Sequence, residues 1–174
     1  HLSEMTAQQA GEVLPVLALD KRRWRVHCKG ASALTLSYLV YAKDVSVRGA
    51  FLDADRGFFN GTSLLLCAEG RRDAPHELSM GVLPEGWAVA TAMAPHGHHH
   101  YRATSYDELV DHPVELGRFW RGSFHVRGAL HEVVVSGAWP SFDGDRLLQD
   151  MRRICEHQIA FWHGVEDAPF KRYV

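Results

Sequence analysis

Between residues 24 and 137 the side chains follow a period of two, which β-strands produce because successive residues point to opposite faces. The stretch LTLSYLVYAK, residues 34–43, shows this period clearly, with Leu34, Leu36 and Tyr38 on one side and Thr35 on the other. Its β-branched and aromatic residues favour a strand. We expect this strand to be central in its sheet.

Seven further segments have the same period and are predicted to be strands. They are WRVHC (24–28), VSVRGAFL (45–52), SLLLCA (63–68), HELSMGVL (76–83), WAVATAM (87–93), GSFHVRG (122–128) and LHEVVVSG (130–137). Segments rich in Gly, Pro, Asn and Asp separate them and favour turns: DADRGFFNGT, EGRRDAP, PEGW and RGAL. Short strands at regular spacing predict a mainly β fold, an antiparallel β-sandwich over residues 1–140.

After Pro140 the period changes to that of a helix. In DGDRLLQDMRRICEHQIAFWHG, apolar residues recur at steps of three and four, and Gly164 follows them. One C-terminal amphipathic helix near 145–163 is predicted, with Asp143 or Asp145 as the N-cap that accepts free backbone N–H groups. Residues 141–174 are assigned to a helix and a strand that lead into the next domain, which is absent from this chain.

The tail APFKRYV is predicted to form a turn that enters another strand. We expect this strand to have no partner inside the chain. The chain is therefore expected to be a piece of a longer protein, with the helix and the tail belonging to the next domain.

The composition excludes several classes of function. The chain has 174 residues, of which 46% are hydrophobic, and a formal net charge of −2, so no basic surface for nucleic acid is expected. No apolar run approaches the roughly 20 residues of a membrane span. Cys28, Cys67 and Cys155 are far apart and form no C-x-x-C pair, which favours a reducing, cytoplasmic compartment over the periplasm.

Four stretches together resemble a known family. They are YLVYAKDVSVRGAFLDADRGFFNGTSLLL, LPEGWAVATAM, YDELVDHPVELG and DAPFKRYV. They resemble the N-terminal part of the glycyl-aminopeptidase family of zinc metallopeptidases, peptidase family M61. The resemblance implies an N-terminal β-sandwich, a following thermolysin-like catalytic domain that holds zinc, and usually a PDZ domain. The full-length protein is then expected to release N-terminal residues such as Gly or Ala.

The chain departs from this family in one respect that decides its chemistry. A peptidase of this type needs the motif H-E-x-x-H, in which two His bind zinc and the Glu acts on the metal-bound water. The sequence contains no H-E-x-x-H. Its nearest match, the segment HEVVV at His131, has Val135 in place of the second His. We therefore expect no catalytic residue, no metal site and no cofactor in this chain. Its expected partners are its own downstream catalytic domain and, in the full-length protein, a peptide substrate.

The tract HGHHH offers a possible alternative metal site. It contains His96, His98, His99 and His100, and imidazole binds zinc, nickel and copper. Adjacent His residues in an extended chain point to opposite sides, and further ligands would be needed to complete a tetrahedron. We interpret the tract as an exposed loop whose metal affinity is adventitious.

The acidic segment YDELVDHPVELG offers candidate substrate-cleft residues, Tyr106, Asp107, Asp111 and Glu115. One interpretation is a turn in which Asp107 and Asp111 accept free backbone N–H groups. By analogy with related zinc aminopeptidases, the segment could instead face the substrate of the intact enzyme, together with DADRGFFNG. Both interpretations stay open at the level of sequence.

Two classes of function remain. The first is the non-catalytic N-terminal domain of a zinc-dependent aminopeptidase, which packs against the catalytic cleft and partly walls it. The second is an independent β-sandwich that binds a protein or a carbohydrate. The five tryptophans, which could stack on sugars, are scattered along the chain, and we expect them to pack inside the protein.

Overall fold

A computed structural model describes residues 2–174 and shows a mainly β protein. Its helices are α1 (Tyr106–Asp111) and α2 (Gly144–His163), with a 3-10 helix at Gly61–Ser63. The strands are β1 (Leu2–Gln9), β2 (Glu12–Leu14), β3 (Val16–Ala18), β4 (Trp24–Val26), β5 (Leu34–Val40), β6 (Ala50–Leu52), β7 (Arg56–Phe59), β8 (His76–Ser79), β9 (Ala88–Ala90), β10 (Ala94–Pro95), β11 (His100–Ala103), β12 (Val114–Gly117), β13 (Phe119–Val126), β14 (Ala129–Ser136) and β15 (Arg172–Tyr173).

The strands form five small sheets, and every pairing of named strands is antiparallel except that of β14 with β15. The strand orders are β2-β1-β5, β10-β11-β8, β6-β7-β12-β9, β13-β14-β15 and β3-β4. The predicted mainly β fold, an antiparallel sandwich followed by one long C-terminal helix, is confirmed.

The first hydrophobic core, core A, lies between two of these sheets. Its buried members are Met93, Ala103, Leu109 and Val114. The partly buried residues packed against them come from both layers: Phe59, Val89 and Leu116 from β6-β7-β12-β9, and Leu78 and Tyr101 from β10-β11-β8. This packing of alternate residues from two facing sheets is the sandwich that the period of two predicts.

A second hydrophobic core, core B, joins α2 to the hairpin β13-β14. Its buried members are Val126, Ala129, Ile159 and Ala168. Core B therefore draws on residues from both sides of the boundary predicted at 140. That boundary stays a prediction.

Helix α2 begins and ends where its sequence signals predict. Asp143 is the N-cap, and its carboxylate accepts from the Arg146 backbone N–H at 2.9 Å. At the other end, Gly164 has a φ of 60° and donates its N–H to the Ala160 carbonyl oxygen at 2.9 Å. No helix within residues 2–174 combines the length and the hydropathy that a membrane span requires.

The prediction that the C-terminal strand lacks a partner is wrong. Strand β15 pairs in parallel with β14, aligning Arg172 with Leu130. The Leu130 N–H donates to the Lys171 carbonyl oxygen at 3.0 Å. A parallel neighbour needs a long crossover, and α2 provides one that returns the chain to the side of β14.

Three local predictions are also corrected. Strand β5 lies at the end of its sheet rather than in its centre. The segment 63–68 is not a strand, because the Asn60 side chain accepts from the Thr62 N–H at 3.1 Å and starts the 3-10 helix. Two tryptophans do not pack inside, since Trp139 is 80% exposed and Trp162 is 72% exposed.

Candidate functional site

The acidic segment folds into helix α1, a short turn and strand β12. The N-cap of α1 is Ser105, whose Oγ accepts from the Glu108 backbone N–H at 3.1 Å. The Glu108 carboxylate in turn accepts from the Thr104 N–H at 2.6 Å and from the Thr104 hydroxyl, and these bonds lower the pKa of Glu108. The capping predicted for Asp107 and Asp111 is therefore performed by Ser105 and Glu108.

Tyr106 and Asp107 connect α1 to the segment before β8. The Tyr106 hydroxyl donates to the Leu65 carbonyl oxygen at 2.8 Å, and burial raises the pKa of Tyr106. Asp107 forms an ion pair of 2.5 Å with Arg72, and both side chains are more than half exposed. Both candidate residues therefore have structural partners.

Asp111 ends α1 and has no such partner. Its side chain is exposed, and it forms no hydrogen bond or ion pair with residues 2–174. Its carboxylate is therefore available to a group from outside this chain.

Glu115 occupies the face of β12 opposite to core A, since its neighbours Val114 and Leu116 contribute to that core. Its carboxylate accepts from the Ser136 hydroxyl at 2.6 Å and lies 3.7 Å from the Arg56 Nε. The side chain is only 16% exposed. The four predicted cleft residues are thus not brought together. Tyr106 packs against core A, whereas Glu115 lies on the opposite face of the sheet that contains β12.

A groove of about 600 Å³ lies next to Glu115, and we call it the arginine groove. Its lining comes from four connections and two strand ends: Ala54, Asp55, Arg56, Pro84, Glu85, Trp87, Arg118, Ser136 and Gly137. The pairing of β7 with β12 aligns Arg56 with Gly117, which brings the first connection beside Arg118. The sequence predicts turns at DADRGFFNGT and PEGW but contains no signal that they meet, and strand β7 (Arg56–Phe59) occupies the middle of the first predicted turn.

Arg118 is fixed at the rim of the arginine groove. Its Nη2 donates to the Glu85 carbonyl oxygen at 2.8 Å. Gly86 has a φ of 77°, and a Cβ at this position would lie 2.9 Å from the Arg118 Nε. The backbone conformation therefore favours glycine, and the guanidinium of Arg118 lies closely over it.

The histidine tract forms a tight connection between β10 and β11. The His96 N–H donates to the His100 carbonyl oxygen at 2.8 Å, and the rings of His98 and His99 stack at 3.9 Å. The predicted exposed loop is confirmed from His96 to His98, whereas His99 is half-buried and His100 begins β11 and bonds to the Ser79 hydroxyl.

The residues present do not fit a zinc site. Within residues 2–174, no three His, Cys, Asp or Glu side chains converge closely enough to hold a metal ion. The tract supplies imidazoles, but two of them stack on each other and a third bonds to Ser79.

Comparison with known proteins identifies the family. Residues 1–118 match the family model of the Peptidase M61 N-terminal domain. The crystal structure of an aminopeptidase N family protein from Idiomarina loihiensis is similar over 99% of this chain, with 39% identity and a TM-score of 0.89. The chain spans only 30% of the length of that protein. No curated protein matches it.

The matching residues contain core A, helix α1 and most of the lining of the arginine groove. Residues 1–118 make up more than half of the 174 residues. The chain therefore belongs to the family of peptidase M61 N-terminal domains.

Proposed function

We propose that the chain is the non-catalytic N-terminal domain of a zinc-dependent aminopeptidase. It packs against the catalytic domain of the full-length protein and partly walls the cleft in which N-terminal Gly or Ala residues are released. The family match and the similarity to an aminopeptidase N family protein support this proposal. The zinc is held by the catalytic domain, since the sequence lacks the motif and residues 2–174 bring no set of ligands together.

The proposed packing against the catalytic domain rests on the exposed apolar side chains on the outer side of α2. Three large apolar side chains of this helix are more than half exposed: Ile154 at 56%, Phe161 at 70% and Trp162 at 72%. The inner side of the same helix is already used, because Ile159 is buried in core B. Exposed apolar clusters of this kind mark surfaces that another polypeptide covers, since covering them removes apolar area from water.

An independent carbohydrate-binding module is the alternative. Its support is the exposure of Trp139 and Trp162. The Trp162 ring, however, already meets the Phe161 ring edge-on at 5.0 Å, so these two rings do not form one flat platform for a sugar. The aromatic pair fits a protein surface better.

Cysteine labelling tests the packing. Phe161→Cys and, as a control, Val82→Cys, whose native side chain is fully exposed, are modified with a maleimide in the 174-residue chain and in the full-length protein. Mass spectrometry separates these labels from those on the native cysteines. We expect labelling at position 161 to slow by at least about 10-fold in the full-length protein because the catalytic domain covers it, with no change at position 82. Equal rates at position 161 in both proteins would overturn the packing.

Peptide cleavage tests whether catalysis requires the part of the full-length protein outside this chain. The full-length protein is expected to release Gly and Ala from peptides with a free amine and to lose this activity with a chelator. The 174-residue chain is expected to show no turnover with added zinc, because it positions no base and no metal. Chelator-sensitive turnover by the 174-residue chain contradicts the non-catalytic role.

A further inference from the structure

The arginine groove contains two guanidinium groups with unused hydrogen-bonding capacity. Arg118 forms no ion pair with residues 2–174 and uses Nη2 to hold the Glu85 carbonyl oxygen. The Nε of Arg56 is buried and forms no hydrogen bond with residues 2–174, and the oxygen of its ion-pair partner Glu115 is 3.7 Å away. That Glu115 oxygen already accepts from Ser136 at 2.6 Å.

We infer that the arginine groove is a binding site for the carboxylate end of a peptide. The terminal carboxylate lies between the Arg56 and Arg118 guanidinium groups, and the last side chain of the peptide rests on Trp87. The choice of a peptide as the molecule that carries this carboxylate rests on the proposed function.

The chemistry of the guanidinium group favours a carboxylate. It is planar and presents several N–H donors in a fixed fork that matches the two oxygens of a carboxylate. The bond from Arg118 to the Glu85 carbonyl oxygen restricts this exposed side chain, which lowers the entropy cost of binding a ligand. The Nε of Arg56 faces Glu115 inside the protein, so a ligand in the groove meets the outer part of this guanidinium, whose side chain is 40% exposed.

The remaining lining selects a peptide end over a phosphate or a nucleotide. Asp55 and Glu85 also line the groove and Glu115 lies next to it, so three acidic residues surround the two basic ones. A ligand with several negative charges would be repelled by these acids, whereas a peptide end has one carboxylate and backbone N–H groups that acids accept. Half-buried Trp87 adds an apolar wall, and about 600 Å³ is a typical volume for a small-ligand site.

Equilibrium dialysis of the 174-residue chain with an N-acetylated tripeptide tests the site. Acetylation removes the free amine, and the tripeptide is compared in its acid and C-terminal amide forms. We expect the acid form to bind at least about 10-fold more tightly than the amide, because only the acid pairs with both guanidinium groups. Arg118→Gln is expected to abolish this preference. Arg102→Gln, at an exposed arginine of β11 outside the groove, is the matched control and keeps it.

A second variant separates the ring from the charge. Trp87→Leu is expected to weaken both peptide forms about equally while leaving the preference for the acid. Equal binding of acid and amide, or a preference that survives Arg118→Gln, overturns the site. Displacement of the peptide by an equal concentration of inorganic phosphate overturns its selectivity for a carboxylate. These outcomes need no catalysis, so they are independent of the labelling and cleavage experiments that test the proposed function.

Discussion

Glu115 shows how a single carboxylate can connect two parts of the molecule. It lies on β12, accepts from Ser136 at the end of β14 and is 3.7 Å from Arg56 on β7. At 16% exposure its charge is poorly hydrated, so these two neighbours compensate for the lost water. The residue therefore fixes three strands relative to one another.

Removing the Glu115 carboxylate is expected to destabilise the fold. Glu115→Ala leaves the Ser136 hydroxyl without its acceptor and the buried Nε of Arg56 without the carboxylate that it faces, at a cost of about 1.5 to 3 kcal/mol. Urea denaturation of the 174-residue chain measures this change. Glu69→Ala, at an exposed turn, is the control and should change stability by about 0.5 kcal/mol or less. Equal stability of the two variants would show that Glu115 has no such role.

Asp111 is the predicted cleft residue whose carboxylate remains available to a substrate. If it attracts the ammonium group of a peptide, Asp111→Asn in the full-length protein lowers kcat/KM by roughly 10-fold to 100-fold, chiefly through KM. The measurement is steady-state cleavage of peptides with a free amine, after equal zinc content and melting behaviour are confirmed. Glu69→Gln is expected to match the parent enzyme. An unchanged kcat/KM for Asp111→Asn would leave α1 with a structural role only.

Glu108 makes part of the stability depend on pH. Hydrogen bonds from Thr104 lower the pKa of Glu108 in the folded protein, so its contribution is present above the unfolded pKa of about 4.3. That contribution is lost as the pH falls through the lower folded pKa. Glu108→Gln should therefore reduce the urea midpoint at pH 7, with a difference from the parent that shrinks below about pH 4. Glu77→Gln, at an exposed position of β8, is the control, and a pH-independent difference for Glu108→Gln would contradict this account.

At the scale of elements, the contact between α2 and β13 depends on the absence of side chains at two glycines. A Cβ at Gly144, the first residue of α2, would lie 2.2 Å from the Trp120 ring. A Cβ at Gly122 of β13 would lie 2.6 Å from the same ring. Trp120 also meets Phe142 edge-on at 5.1 Å, so it cannot move freely to make room.

Gly144→Ala tests this contact against helix propensity. In an exposed helix, alanine is favoured over glycine by up to about 1 kcal/mol. Here the clash with Trp120 is expected to reverse the sign and to destabilise the fold by about 1 to 3 kcal/mol. Gln149→Ala, at an exposed position of α2, reports propensity without the clash. A more stable Gly144→Ala variant, measured by thermal denaturation, would show that α2 does not pack closely on Trp120.

The elements that the sequence predicts are those whose signals are local. Helix α2 follows from its period and its caps, and the β13-β14 hairpin follows from alternating residues around Gly128. No strand is predicted before Trp24, yet β1 occupies Leu2–Gln9 and pairs with β5 across about 30 residues. The prediction for segment 63–68 is wrong because one side chain, that of Asn60, outweighs the β propensity of the nearby leucines.

The candidate site is less predictable because it depends on strand pairing. The acidic segment can be recognised from its residues. That Glu115 is paired while Asp111 is not depends on the neighbours that the fold brings to each carboxylate. Arg56 and Arg118 are distant in sequence and meet only because β7 pairs with β12 in one register. A single sequence does not contain that register.

At the scale of the whole molecule, Glu132 joins the last strand to the rest. It is buried, lies 3.6 Å from the Arg121 Nε and forms a close ion pair with Arg172 of β15. The Nε of Arg172 is itself buried without a hydrogen bond. Removal of the Glu132 carboxylate would leave the positive charges of Arg121 and Arg172 uncompensated in a poorly hydrated region.

Glu132→Ala is therefore expected to cost about 1.5 to 3 kcal/mol of unfolding free energy. The matched control is Glu156→Ala, which removes an exposed ion pair of 3.0 Å with Arg152 on α2 and should cost about 0.5 kcal/mol or less. Urea denaturation of both variants gives the comparison. If Glu132→Ala cost no more than the control, the attachment of β15 would depend on its backbone bonds alone.

The parallel pairing of β15 with β14 also sets an order of events in folding. Closing this contact encloses about 40 residues, whereas β13 and β14 are joined by a two-residue turn. The entropy cost of loop closure is therefore smaller for the hairpin, which can form first. Because β15 lies at the end of its sheet and pairs with β14, it can detach while core A stays intact. The Leu130 N–H, which bonds to Lys171, would then exchange with solvent through this local opening, faster than amides inside the sandwich.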